Sequence, residues 1–257
     1  MGDRPGTTEP HLSVLSAPGL AAWSLHDRDT GACLAFHVMA DDEGFDDPRI
    51  PKDPRSVSFI TLPEWSTLVP GSTLAPGSEA AHLALVHGGL PEGALRDEPV
   101  PQLSATCVHV HDDRAEHQLL TRFPSARPLA LQALLVRMAL ARCVEGPALV
   151  LHRGQDRLDV ALAKNGNLLV SNTFPARTAT DVLYFSLLAL QGHGLHADQV
   201  EMHLGGIALA KAEQNLLDKY FARPHPALPS PHGPELRGPV KEPQRWMALL
   251  EQYACVS

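Results

Sequence analysis

Between Ala148 and Gln191 the pattern of apolar and polar positions changes period twice. Ala148–His152 is a short apolar run. Leu158, Val160 and Leu162 then alternate with Asp159, Ala161 and Ala163, the period of two that marks a half-buried strand. Asn165-Gly166 interrupts the alternation. Both residues tolerate the positive φ that a type I′ hairpin turn needs at its two central positions, so Leu168–Phe174 reads as the returning strand. Thr178 or Thr180 caps a helix over 181–191, with Asp181 near its positive end, and Gly192 and Gly194 end it. Val182, Leu183, Phe185, Leu187, Leu188 and Leu190 put apolar groups on most sides, which predicts a buried helix.

The same succession occurs earlier. Leu12–Ser16, Ala22–His26 and Cys33–Val38 read as three strands, with a turn at Asp27–Gly31. Aligning Val14 with Val150 and Ala22 with Leu158 gives one offset of 136 positions (150 − 14 and 158 − 22). The copies share a pattern of strands and turns rather than identities, and the reading is an internal duplication.

Elsewhere, Ser56–Leu62 and Ala105–Val110 are strand candidates, and Glu79–Val86, Arg114–Arg122 and Leu129–Cys143 are helix candidates. Residues 91–102 read as a loop. In the second half, Val200–Leu204 reads as a strand, Gly205-Gly206 as a turn and Ile207–Phe221 as a helix. The Pro-rich stretch Arg223–Pro243 reads as an extended connector, since Pro donates no backbone hydrogen bond. Pro243–Ala254 reads as a closing helix that docks through Trp246, Leu249, Leu250 and Tyr253. Glu145-Gly146-Pro147 marks a boundary between halves.

Composition narrows the function classes. A net charge of −8, from 21 basic and 29 acidic residues, argues against a nucleic-acid groove and against anionic membrane surfaces. No apolar run of about 18 residues predicts a membrane span, and the first residues lack an apolar signal core. Cys33, Cys107, Cys143 and Cys255 form no close pair and read as buried free thiols. A cytoplasmic protein is expected. The acidic stretch Asp41–Pro54 departs from the calcium-loop spacing and reads as an exposed loop.

The order Leu68-Val69-Pro70, Asn172 with Phe174, Asp181 with Tyr184, then Leu204-Gly-Gly-Ile-Ala208 resembles the uncharacterised bacterial domain-of-unknown-function family 3822, over nearly all of residues 11–255. That family is similar in fold to the actin-like superfamily, alongside pilus- and secretion-assembly proteins. The resemblance implies an α/β architecture of two duplicated ribonuclease-H-like domains with mixed sheets, here residues 11–146 and 147–257. The second includes the Pro-rich segment and closing helix. Asn172, Phe174, Asp181 and Tyr184 are the family-signature positions. Their bland readings are a strand-end amide, a first-turn helix acid and a packed tyrosine whose hydroxyl is bonded.

Actin-like ATPases place an Asp-x-Gly phosphate loop between the first two strands of each half. The matching stretches here are Ser16-Ala17-Pro18-Gly19 and His152-Arg153-Gly154-Gln155, and neither holds the acid. Gly205-Gly206 stands where the superfamily carries an adenosine loop, and glycine lets backbone approach a flat base. His109 and His111 face one side of a strand and are the best metal pair, with Asp113 or His152 as a third ligand. The sequence therefore reads as a non-catalytic binding or assembly module with protein partners and no predicted cofactor. The alternatives are an ATP-binding protein or weak ATPase with a remodelled phosphate site, using magnesium-ATP, and a metal-dependent hydrolase.

Overall fold

A computed structural model describes residues 10–39, 45, 47–222, 224–227 and 240–256. Two five-stranded mixed sheets form its frame. In the first, β1 (His11–Ala17) pairs antiparallel with β2 (Leu20–His26), which pairs antiparallel with β3 (Cys33–Met39). On its other side β1 runs parallel to β4 (Ser56–Thr61), and β4 runs parallel to the two-residue β8 (Arg127–Pro128). A three-stranded antiparallel sheet is inserted between β4 and β8. It holds β5 (Trp65–Pro70), β7 (Ala105–His111) and β6 (Ala94–Val100), in that spatial order.

The second five-stranded sheet contains β9 (Ala148–Arg153), β10 (Arg157–Lys164), β11 (Asn167–Pro175), β12 (Glu201–Gly206) and β13 (Pro224–Pro226). Its spatial order is β11-β10-β9-β12-β13, against β3-β2-β1-β4-β8 in the first. The pairing senses correspond throughout. The hairpin turns follow local chemistry. Gly19 has φ 72° after Pro18, and Asn165 and Gly166 have φ 51° and 75°, the positive values a type I′ turn requires.

Helices fill the spaces between these sheets. Helix α3 (Leu131–Arg142) packs on β9, β10 and β11. The closing segment, α6 (Met247–Leu250) between two 3₁₀ turns, packs on β1, β2 and β4 and also reaches β12. Each half thus sends a helix onto the other half's sheet. Leu15, Ala22 and Ile60 share one core with Val150, Ala161, Leu134 and Leu249. Outside this layer, α2 (Asp113–Arg122) covers the first sheet through Leu119. On the second sheet, α4 (Ala179–Gln191) and α5 (Lys211–Leu217) form the outer layer through Val182, Leu190 and Leu217. Helix α1 (Glu79–His87) lies on the inserted sheet through Leu83.

Several expectations change. Trp65–Pro70 is a strand that Pro63 and Pro70 disguised. Residues 94–100 form β6 rather than loop. Arg96, Asp97, Glu98 and Pro99 look unlike a strand, but β6 is an edge strand, where Pro is tolerated. Gly205 and Gly206 end β12 instead of forming a free turn. The helix after them begins only at Lys211, because Glu213 Oε2 accepts the Ala210 amide at 2.7 Å and fixes the start there. Of the acidic stretch, Asp41, Asp42, Glu43 and Asp46 lie outside the described residues. Asp47 is buried rather than exposed, accepting from Trp23 Nε1 at 3.1 Å and from Arg49 Nη2 at 2.7 Å. Most of the Pro-rich connector lies outside the described residues. The closing helix is only four α-helical residues long.

Candidate functional site

In open α/β sheets, ligands bind outside the carboxyl ends of parallel strands. Here those ends are Ala17 and Thr61 in the first sheet, and Arg153 and Gly206 in the second. They meet, because the Arg157 side chain at the start of β10 donates to the carbonyl of Glu64, just beyond β4. This junction is the candidate site.

The first hairpin offers little room. Ala17 pairs directly with Leu20, and Leu62 donates its amide to Ser16 O at 2.8 Å. The second is filled by charge. Arg157 Nε lies 3.1 Å from Asp159 Oδ1, and Thr173 Oγ1 donates to the same oxygen at 2.7 Å. His152 Nδ1 stands 3.6 Å from Asp159 Oδ2. Burial raises the Asp159 carboxyl, but His152 and Arg157 outweigh it and hold the group below its ordinary value. Arg153 pairs with Glu213 of α5 at 3.2 and 3.3 Å.

A second acid lies behind these. Glu64 accepts the amides of Leu131 and Gln132 at 2.7 and 2.9 Å, and Glu98 accepts that of Ala130 at 2.6 Å. The positive end of α3 is therefore answered by two side chains of the protein itself. Burial pushes the Glu64 carboxyl above its usual range, against the pull of those amides and of Arg157.

Beside the junction is a pocket of about 280 Å³, lined by Leu204, Gly205, Gly206, Ile207, His225 and Glu242 among others. The two glycines are shaped by the fold. A Cβ on Gly205 would meet Met247 Sδ at 3.0 Å and Gln244 O at 3.1 Å. Gly206 has φ 83°, and a Cβ there would lie 2.3 Å from Arg153 O. Their close approaches are thus made to the closing segment and to β9.

His109 and His111 are both fully buried, with ring centroids 5.2 Å apart. His111 Nε2 lies 2.6 Å from Glu116 Oε2, and Glu116 also pairs with Arg96. Neither ring nitrogen of His109 has a hydrogen-bond partner. Burial, then the His111 charge, lowers its pKa to about 4. Among the described residues no three His, Cys, Asp or Glu side chains are grouped to hold a metal ion. Asp113 sits in the exposed first turn of α2, and His152 turns to Asp159.

Asn172 Oδ1 accepts the Thr173 amide at 2.8 Å, and Phe174 stacks on Phe185 at 4.6 Å. Asp181 closes a capping box with Thr178, and the amides of Arg177 and Thr178 lower its pKa. Tyr184 is 59% exposed instead of packed, because Thr180, Tyr184, Leu188 and Gln191 form the outer stripe of α4. The sequence reading missed Glu64, Arg157 and Asp159 as a cluster. The available signal was Asp159 standing with Ala161 and Ala163 on the inward face of β10.

The family model described as "Protein of unknown function (DUF3822)" matches residues 55–223, well over half of the chain. Among solved structures, a Bacteroides thetaiotaomicron protein described as having an actin-like ATPase fold and unknown function superposes with a TM-score of 0.72 at 14% identity. The match covers 99% of each chain. A chain of the "PilM-PilN type IV pilus biogenesis complex" superposes at 0.59 with 12% identity, covering 95% of this chain and 98% of that one. A search of the curated proteins returns no match. No helix among the described residues is long and apolar enough to cross a membrane.

Proposed function

The chain belongs to the DUF3822 family and has an actin-like ATPase fold, and from that premise we propose that it is a non-catalytic protein-binding or assembly module. The observation that carries the proposal is the C-terminal tip of α1, the helix that lies on the inserted sheet. Leu85, Val86 and Leu90, at the end of α1 and just beyond it, are 83%, 57% and 51% exposed. Large apolar side chains gathered on a surface mark protein contacts. The charged groups at the junction support the same reading, since Arg153, Arg157, Asp159, Glu64 and Glu213 are engaged with one another or with the backbone. The pilus-complex neighbour adds a precedent for an assembly role on a related fold.

The tip is tested with a double variant, Leu85→Glu with Leu90→Glu. Affinity capture from extract of the source cell should return a specific partner with the wild-type chain and lose it with the variant, by about tenfold or more if the tip is the hot spot. Capture of no specific partner, or of the same partner by both, would overturn the proposal.

The two sheets also support a duplicated pair of ribonuclease-H-like units, residues 11–146 and 147–257, which exchange α3 and α6. Their common strand order is the supporting observation. A superposition that failed to bring β9 onto β1 while aligning the other strands would break that reading. One observation favours the second reading, an ATP-binding protein or weak ATPase: the pocket beside Gly205 and Gly206.

A further inference from the structure

The inserted sheet gathers several connections at one end. Trp65 opens β5 opposite Val110, and Ala94 opens β6 opposite His111. Asp112 and Asp113 follow β7 directly, and Glu92 and Gly93 lead into β6. Helix α1 ends there too, because His87 Nε2 donates to Ser66 O at 3.2 Å. Residues directly opposite each other in an antiparallel pair share a face. Trp65 therefore lies on the face of Val110, where Leu83 of α1 packs. It is 40% exposed, and it stands on the same side of the sheet as Leu85 and Val86 in the last turn of α1 and Leu90 just beyond.

Beside Trp65 is a groove of about 340 Å³, lined by Pro63, Trp65, Glu92, Gly93, Asp112 and Asp113. The chain is tightly placed at its centre. Gly93 has φ 137°, and a Cβ there would run into His111 O, so the backbone that carries Glu92 is held against the end of β7. Carboxylates line the groove and no Lys or Arg does. Asp112 uses Oδ1 to accept the amides of Arg114 and Ala115, while Glu92 and Asp113 are exposed. The nearby cations are turned elsewhere. Arg96 pairs with Glu116, and with Arg114 it lines a separate cleft that also reaches Asp113.

We infer that this end of the inserted sheet docks a basic amphipathic segment of a protein partner. The inference rests on the protein-binding reading of the α1 tip and adds the chemistry of what binds there. Apolar side chains of the segment cover Leu85, Val86 and Leu90. A Lys or Arg beside them enters the groove, where the Trp65 ring offers a cation its face and Glu92 and Asp113 supply the opposite charge. Charge complementarity selects this occupant. An acidic groove in a chain of net charge −8 repels anionic lipid and nucleic acid. A second copy meeting this face about a two-fold axis would bring the same carboxylates against each other. A basic segment has neither difficulty, and the acids draw it in while the apolar tip holds it.

The test is fluorescence anisotropy of the full chain with two labelled amphipathic helical peptides of one apolar pattern, one built of Leu and Lys and the other of Leu and Glu. The Leu-Lys peptide should bind, more weakly at high salt, and the Leu-Glu peptide should not. Glu92→Gln with Asp113→Asn should weaken binding by about tenfold. Glu145→Gln with Asp198→Asn removes two exposed acids of the second half and should leave it unchanged. All four substituted positions are exposed, so circular dichroism should match the wild type. Equal binding of both peptides, no binding of either, or equal loss in the two acid variants overturns the inference. So does binding of the chain to phosphatidylcholine vesicles through Trp65, read as a blue shift of its emission that Trp65→Phe removes, since that would make the tip a membrane contact. Failure of this inference is separable from failure of the protein-binding reading. A captured partner lost with Leu85→Glu and Leu90→Glu but retained by the Glu92→Gln, Asp113→Asn variant rejects the basic segment alone.

Discussion

Lowering the pH from 7 to 5 should destabilise the protein by several kcal/mol, with little change between pH 7 and 8. The groups responsible are buried histidines. His11 lies in the first sheet with its Nδ1 and Nε2 2.8 and 3.0 Å from the hydroxyls of Ser56 and Ser58, and His26 Nε2 meets Ser24 Oγ at 2.8 Å. Burial, then the neighbouring charges of His26 and Arg28, lowers His11 to about 3. Burial lowers His26 and His109 to about 4, and burial with Arg142 and His225 lowers His203 to about 3. Each folded value is below the unfolded 6.5, so protons bind the unfolded chain more readily. The stabilisation is therefore present above about pH 6.5 and is lost as pH falls towards the folded values. At pH 5 each site gives up roughly 2 kcal/mol, about 1.4 per pH unit. Glu64 runs the other way, since its raised pKa makes protonation favour the fold, and it offsets part of the loss. Even half of the summed histidine effect is comparable with a typical total stability of about 5–15 kcal/mol. A series of thermal melts across pH 5–8 checks this: a steady fall in Tm below about pH 6.5 is expected, and a flat profile from 7 to 5 would refute it.

Arg157→Ala should cost about 3–5 kcal/mol, the usual penalty for removing one partner of a buried ion pair. Asp159 would remain buried with its main cation gone, and the Glu64 carbonyl would lose its donor across the junction between the two sheets. Urea unfolding of the variant should show a lower midpoint. A double variant with Asp159→Asn should recover part of the loss, since it removes the stranded charge. A midpoint unchanged by Arg157→Ala would mean that the pair contributes nothing to joining the halves.

Much of the frame is legible in the chain because local chemistry and tertiary context agree there. The Asn165-Gly166 turn and the Thr178 cap are found as read, and 158–163 is a strand, though buried on both faces rather than half-buried because α3 and α4 both pack on it. The two strand patterns read at an offset of 136 positions (150 − 14) fall in sheets of the same order, but that offset is out of step with the faces, since Val14 lies on the outer face of the first sheet and Val150 in the central core. Legibility fails where distant partners decide. β6 is charged and Pro-containing, yet Glu98 is buried because α3 and Arg137 meet it from over 30 positions away. The late start of α5 depends on Glu213, which also serves Arg153. Within the site, Gly205 and Gly206 stand out in the sequence, but the reason for each is a segment far along the chain, Met247 for one and Arg153 for the other. Arg157 and Glu64 come together only through the approach of the two sheets.

The central claim is that the groups at this junction serve the fold rather than a nucleotide. Thermal denaturation with and without millimolar magnesium-ATP tests it most directly, because a ligand that binds the native state must raise Tm with its concentration. The account predicts the same Tm in both conditions. A saturable rise, lost when the pocket is filled by Ile207→Trp, would contradict it and restore the ATP-binding reading.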